Sequence, residues 1–389
     1  MVPHPNVVAL IVALAGLVSS SPLHTGTRAF SVSQVANPNF KPHGLVEIAK
    51  SLTKYGVSLP EGLARIVADA SVARLAERGT GSVKANPLAW DRGYLTPVQI
   101  GTPPQTLELD IDSGSSDLWV FSDLTPKEQR QGGVLYNSTK SATAKKIDGA
   151  AWNITYGDQS SCHGIVFHDT VIFTLDTFTR GLLGLGFNKI NTVKPKQERT
   201  WFENAAKGLD APIWTADLHH AKAGTYDFGF INKTKYAGNI TYVDVDSSGG
   251  LWGIQMSGYS IGNGTFKNIT FKGIADTGTS LALLPKDVVK AYYSTVPNAT
   301  YNEEFGYFFP CAVLPPKFVL GIGAARITIP SEYIRYSVAD ELSRECFGGL
   351  QPDDRIGFSI LGDVVLKSAF VVFDATPDKP RLGLATKKR

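Results

Sequence analysis

Cysteine, charge and long apolar runs are all scarce in these 389 residues, and each scarcity excludes a class of protein. Three cysteines are too few for a disulfide-dense scaffold. The seven histidines form no H-x-x-x-H pair, so a zinc protease is a poor reading and no metal or cofactor is expected. A net charge of +3 is too small to drive nucleic-acid binding. No run approaches the 18 apolar residues of a membrane-spanning helix, so stable membrane insertion is not expected. Residues 1–20 contain no Lys, Arg, Asp or Glu, and their twelve-residue apolar stretch Val7 to Val18 ends in Ser19, Ser20 and Ser21. That pattern reads as a secretory signal, and it makes the protein secreted and extracellular.

What is present is a 43% hydrophobic composition punctuated by 38 Gly and 22 Pro, the texture of a compact fold with many turns. Residues 21–84 carry eight basic and four acidic side chains, which leaves 30 basic and 31 acidic for 85–389. The basic front also has helical spacing, at Leu45, Ile48, Ala49, Leu52 and Tyr55 and again over 61–78. From Tyr94 onward short Val/Ile/Thr/Tyr/Phe runs broken by Gly, Pro, Asn and Asp predict strands, with helices only near Arg199–Lys207 and Lys286–Ser294. The expected class is mainly β. In an oxidising compartment three cysteines imply one disulfide and one odd thiol. Seven N-x-T sequons, at Asn137, Asn153, Asn232, Asn239, Asn263, Asn268 and Asn298, suit a glycosylated exported chain.

An internal repeat carries the chemistry. Ile111-Asp112-Ser113-Gly114-Ser115-Ser116 recurs as Ala275-Asp276-Thr277-Gly278-Thr279-Ser280, the two aspartates standing 164 residues apart. Each copy is followed by an apolar-apolar-Gly segment, Leu182-Leu183-Gly184 and Ile360-Leu361-Gly362. One Asp-Ser-Gly is usually a surface turn. Two copies, each after an apolar strand, instead predict two half-sites that bring their carboxylates together, where one proton is shared and acid and base roles separate.

With Tyr94-Leu95-Thr96-Pro97, Gly101-Thr102-Pro103-Pro104-Gln105, Asp117-Leu118-Trp119-Val120, Tyr156-Gly157-Asp158, Gly181 to Gly186 and Ile360-Leu361-Gly362-Asp363, the chain resembles the secreted pepsin-family aspartic endopeptidases of fungi, aspergillopepsin and penicillopepsin types. The resemblance covers nearly the whole chain. It implies a bilobal pepsin-like acid protease fold, two homologous β lobes with a cleft between them, preceded by a helical prosegment. The divisions are a signal at 1–20, a propeptide at 21–84 ending between 70 and 85, an N-terminal lobe at 85–231 and a C-terminal lobe at 232–389. Asp112 and Asp276 would be catalytic, with Ser115 and Thr279 as supporting hydroxyls. Tyr156, Gly157 and Asp158 on the flap would meet substrate, Trp119 would hold the Tyr156 hydroxyl, and Asp158 would admit Lys as well as large apolar side chains. Cys311 and Cys346 match the family's C-terminal disulfide. Lys54, in Lys54-Tyr55-Gly56, would block the aspartates until acid releases the prosegment. Partners would be peptide substrates and pepstatin-type inhibitors, and the protein a monomer.

The pattern breaks in two places. Gln159 stands where the family has Gly, and the stretch 171–181 is shorter than the family's, with Arg180 where Asp is usual. The alternative to an active enzyme is therefore a catalytically impaired, aspartic-protease-like binding protein, or the product of a gene missing a coding stretch. Gly258-Tyr259-Ser260-Ile261-Gly262 fits the nucleophile elbow of a serine hydrolase, but the last histidine, His220, precedes that serine, and the order excludes it.

Overall fold

The computed structural model describes residues 7–8, 10–12, 29–36, 42–67, 94–126, 134–155, 161–173, 181–340 and 344–388. Tyr156, Gly157, Asp158 and Gln159, expected on a flap, lie outside these residues, as do 174–180. Among the described residues there are four sheets of ten, six, seven and four strands, which join the strand texture read from Tyr94 onward to four strands of the front, Val7–Val8, Leu10–Val12, Phe30–Ser33 and Val35–Ala36. Tyr94–Ile100, the YLTPVQI run, is itself one strand.

The sequence repeat is a structural repeat. In the ten-stranded sheet, β1 (Gln105–Asp112) ends at the first aspartate, and β2 (Leu118–Val120) and β3 (Gly181–Gly184) complete the unit. β3 runs parallel to β1, with Gly184 opposite Asp112, and antiparallel to β2. The seven-stranded sheet repeats this with β4 (Phe271–Ala275), β5 (Ala282–Leu284) and β6 (Ser359–Leu361): β6 is parallel to β4 and antiparallel to β5. The apolar-apolar-Gly signature is thus a strand threaded between two others. Leu183, Ile360 and Leu361 are fully buried, and for that reason these segments are apolar without alternation.

Between the lobes lies a six-stranded sheet in the order Tyr236–Asp244, Arg381–Lys387, Phe370–Asp374, Ile213–Asp217, Thr225–Phe228, Phe30–Ser33. Its last member comes from the basic front segment, with Phe30 opposite Phe228. Trp214 stacks on Phe373 at 3.7 Å in its middle. The four-stranded sheet, Thr300–Asn302, Gly306–Pro310, Glu345–Gly348 and Arg335–Asp340, is bridged by a Cys311–Cys346 disulfide with a 4.9 Å Cα separation.

The front helix α1 spans Gly44–Lys54 and buries Val46, Ile48, Ala49 and Leu52. It ends where Gly56, at φ +75°, turns the chain back, with Val57 N–H donating to the Leu52 carbonyl at 2.9 Å. A second helical stretch follows at 61–67; the remainder of the expected 61–78 helix lies outside the described residues. The other two expected helices form at Trp201–Ala205, opened by a Thr200–Glu203 capping box, and at Lys286–Tyr293. Among the described residues no helix is long and apolar enough to cross a membrane.

In the ten-stranded sheet the place between β2 and Ser161–His168 is held by Leu10–Val12, antiparallel to β2 and parallel to 161–168, and Val7–Val8 continues that pairing opposite Cys162 and His163. The apolar segment read as a signal is therefore paired inside the first lobe.

Candidate active site

Each Asp motif is a tight turn at the end of a buried strand, and the two turns meet. Ser113 Oγ donates to the Ala275 carbonyl at 2.9 Å and accepts from Thr277 N–H at 3.0 Å, while Thr277 Oγ1 donates to the Ile111 carbonyl at 2.6 Å and accepts from Ser113 N–H at 3.0 Å. Four reciprocal bonds clasp the lobes at the residue after each aspartate. The glycines that follow are required by proximity. A Cβ on Gly114 would lie 2.5 Å from Asp276 Oδ1, and one on Gly278 would lie 2.3 Å from Asp112 Oδ1.

The expected juxtaposition of Asp112 and Asp276 is present, 1% and 0% exposed. Gly114 N–H donates to Asp112 Oδ1 at 2.8 Å and Gly278 N–H to Asp276 Oδ1 at 3.0 Å. The supporting hydroxyls are unequal. Thr279 Oγ1 donates to Asp276 Oδ2. Ser115 Oγ does not repeat that bond: it is buried without a hydrogen-bond partner among the described residues. The equivalence expected of Ser115 is corrected here; Asp112 Oδ1 is supplied instead by Gly114 N–H and by an ammonium from the front segment.

That ammonium is Lys54. Its Nζ lies 2.6 Å from Asp112 Oδ1 and 2.9 Å from both oxygens of Asp276. Burial pulls the ammonium down, but the two carboxylates outweigh it and hold Lys54 above its ordinary value. Asp276 is pushed up by burial and, more strongly, down by Lys54 and the hydrogen bonds it accepts from Asp112 and Thr279, to about 2. Asp112 is raised, by burial and then by Asp276, against the pull of Lys54. With Lys54 in place the two carboxylates are thus driven in opposite directions. Below it, Asp110 is pushed up to about 7 by burial and by Asp112, and Asp117 to about 6 by burial, opposed by bonds from Thr192.

Two contributors escaped the sequence reading. Tyr55 Oη donates to Asp276 Oδ2 at 2.8 Å, its ring edge-on to Phe358 at 5.3 Å. Glu47, buried on α1, accepts from Ser280 Oγ at 3.0 Å. The Lys-Tyr dipeptide and the helical spacing that puts Glu47 and Lys54 seven residues apart on one face were the available signals. A cavity of about 570 Å³ opens beside the aspartates, walled by Trp119, Leu182, Ile190, Thr192 and Leu251 and floored by α1. Trp119 stacks on Trp152 at 6.3 Å, and its buried indole N–H has no partner among the described residues; the partner expected for it, Tyr156, lies outside them.

Two homologous β lobes, each delivering an Asp-Ser/Thr-Gly turn to a shared cleft, define a bilobal aspartic proteinase. Comparison with known sequences agrees: the profile of the eukaryotic aspartyl protease family matches residues 93–177 and 172–387. The chain is 46% identical to endothiapepsin of Cryphonectria parasitica, over 95% of its own length and 93% of the relative's. It is 43% identical to aspergillopepsin-1 of Aspergillus oryzae, over 98% of each, and 39% to penicillopepsin-3 of Penicillium janthinellum, over 99% and 100%. The chain belongs to the eukaryotic aspartyl protease family and is an aspartic-type endopeptidase.

Proposed function

We propose that the protein is a secreted zymogen that hydrolyses peptide bonds between large hydrophobic residues at acid pH, using Asp112 and Asp276 as a proton-sharing dyad. The observation that carries this reading is the meeting of Lys54 with both carboxylates in one buried site. With Lys54 gone, water takes its place between the aspartates. The ionised carboxylate accepts a proton from that water as its oxygen bonds to the peptide carbonyl carbon, and the protonated one gives its proton to the carbonyl oxygen. The gem-diol then collapses, breaking the C–N bond, and the amine leaves with a proton. No metal or cofactor enters the scheme. Trp119, Leu182 and the flap residues Tyr156, Gly157 and Asp158 would contact the substrate, Asp158 accounting for acceptance of Lys.

Residues 21–84 act as the prosegment, with Phe30–Ser33 borrowed by the interlobe sheet and α1 filling the cleft. The sign of the electrostatics suits acid activation. Lys54 pulls Asp276 down, so the docked segment is held while Asp276 is ionised and that hold is lost as acid protonates it. Purified full-length chain, acidified stepwise and assayed on a protein substrate with and without pepstatin, tests the reading. Pepstatin-sensitive activity appearing with loss of the front segment supports it. A folded, processed protein inert from pH 2 to 6 overturns it in favour of the binding-protein alternative.

A further inference from the structure

The part of the prosegment beyond the aspartates is held by a surface of its own. After the reversal at Gly56 the chain re-enters a helix, with Ala64 N–H donating to the Pro60 carbonyl at 2.9 Å. Gly62 N–H, in its first turn, donates to Glu304 Oε1 at 2.5 Å. A Cβ on Gly62 would sit 2.7 Å from Glu304 Oε2, so with any larger residue here the carboxylate would have to swing aside. The next residue, Leu63, is fully buried.

Glu304 is set in place independently of the helix. It stands in the turn between Thr300–Asn302 and Gly306–Pro310, where Asn302 Oδ1 accepts from Glu304 N–H at 2.8 Å and Phe305 N–H at 3.0 Å. Arg355 Nη1 donates to the Glu304 carbonyl at 3.4 Å. Neighbouring charges are taken elsewhere: Glu303 and Asp354 face Lys286 at 3.7 and 3.3 Å, and Glu61 pairs with Arg65 at 3.0 Å. The same four-stranded sheet grips the start of α1. Gly44 N–H donates to Ser337 Oγ at 3.0 Å, and a Cβ on Gly44 would strike the Phe347 ring at 2.1 Å. Ser337, Phe347 and the Glu304 turn belong to one sheet, braced by Cys311–Cys346.

We propose that this disulfide-braced sheet is a docking platform for segment 44–67, and that Glu304 is a second latch on the prosegment, separate from the Lys54 block. The inference rests on the zymogen reading above. Every hydrogen bond named from this platform comes from the second half of the chain, so the hold does not depend on the shortened first lobe.

The test uses the full-length chain and two variants. Glu304→Ala removes the acceptor. Gly62→Asp sets a Cβ and a second carboxylate against it, in a segment that activation discards, so the activated enzyme is identical to the parent. Loss of a charge-assisted hydrogen bond corresponds to about tenfold in the docking equilibrium. Hydrogen exchange at residues 61–67 should therefore quicken about tenfold in both variants, and the half-time of prosegment loss at pH 4 should shorten, with unchanged kcat/KM after activation. Without the latch, Asp in a helix's first turn would slow exchange, the opposite sign. Exchange and activation unaltered in Glu304→Ala, or slowed in Gly62→Asp, overturn the proposal. Lys54→Ala, assayed alongside, reports on the block at the aspartates: a latent Lys54→Ala chain sinks that block, while exchange at 61–67 still decides the latch.

Discussion

The first and second half-sites share a backbone and differ in how they are finished. Both end a buried strand in Asp-Ser/Thr-Gly, both hold a parallel apolar strand alongside, and both present a glycine to the opposite carboxylate. Yet Thr279 donates to Asp276 while Ser115 Oγ has no partner among the described residues, and Asp276 is depressed while Asp112 is raised. Duplicated geometry does not give duplicated chemistry. One hydroxyl and an off-centre ammonium separate two carboxylates that the fold treats almost alike.

The comparison can be broken or sharpened by substitution. The largest effect is expected where symmetry should hold: Asp112→Asn and Asp276→Asn should each lower kcat by at least about 100-fold, measured on a chromogenic peptide after forced processing. Lys54→Ala comes next. It removes the only ammonium shared by the two carboxylates among the described residues, so the unprocessed chain should gain pepstatin-sensitive activity at pH 6, where the parent stays silent. Thr279→Val should then cost more in kcat than Ser115→Ala and shift the acid limb of the pH–rate profile upward, because only Thr279 bonds its aspartate; equal costs would remove the asymmetry. Ser113→Ala, breaking one side of the clasp, should destabilise the protein by about 1–3 kcal/mol in chemical denaturation. The smallest effect is in pH stability. Asp110 and Asp117, raised to about 7 and 6, contribute stability that is complete below about 4 and lost as pH rises through those values. Melting temperature should therefore decline between pH 5 and 8, less steeply in Asp117→Asn.

Much of this was legible in the chain because it rested on local repetition. The Asp motifs, the apolar-apolar-Gly strands and α1 follow from spacing and type, whereas the place of Lys54 was implied only by the resemblance of Lys54-Tyr55-Gly56 to the family's prosegments. Ser113 and Thr277 were visible as small hydroxyl residues, but their crossed bonds form only when segments 164 residues apart meet. Ser115 carries the same signal as Thr279, and only the packed geometry shows that its hydroxyl has no hydrogen-bond partner among the described residues. Tyr55 and Gly62 act through partners, Asp276 and Glu304, that lie more than two hundred residues distant.

The pairing of Leu10–Val12 leaves the molecule with a conflict of timing. Those residues bridge β2 and the strand 161–168 from both sides. Cut away during export, they would leave two strands about 10 Å apart, facing each other with unmet amides and carbonyls. If residues 1–20 serve as the signal their sequence suggests, their removal would also decide whether the first lobe keeps its seam, and the order of cleavage and folding would become a matter of structural integrity.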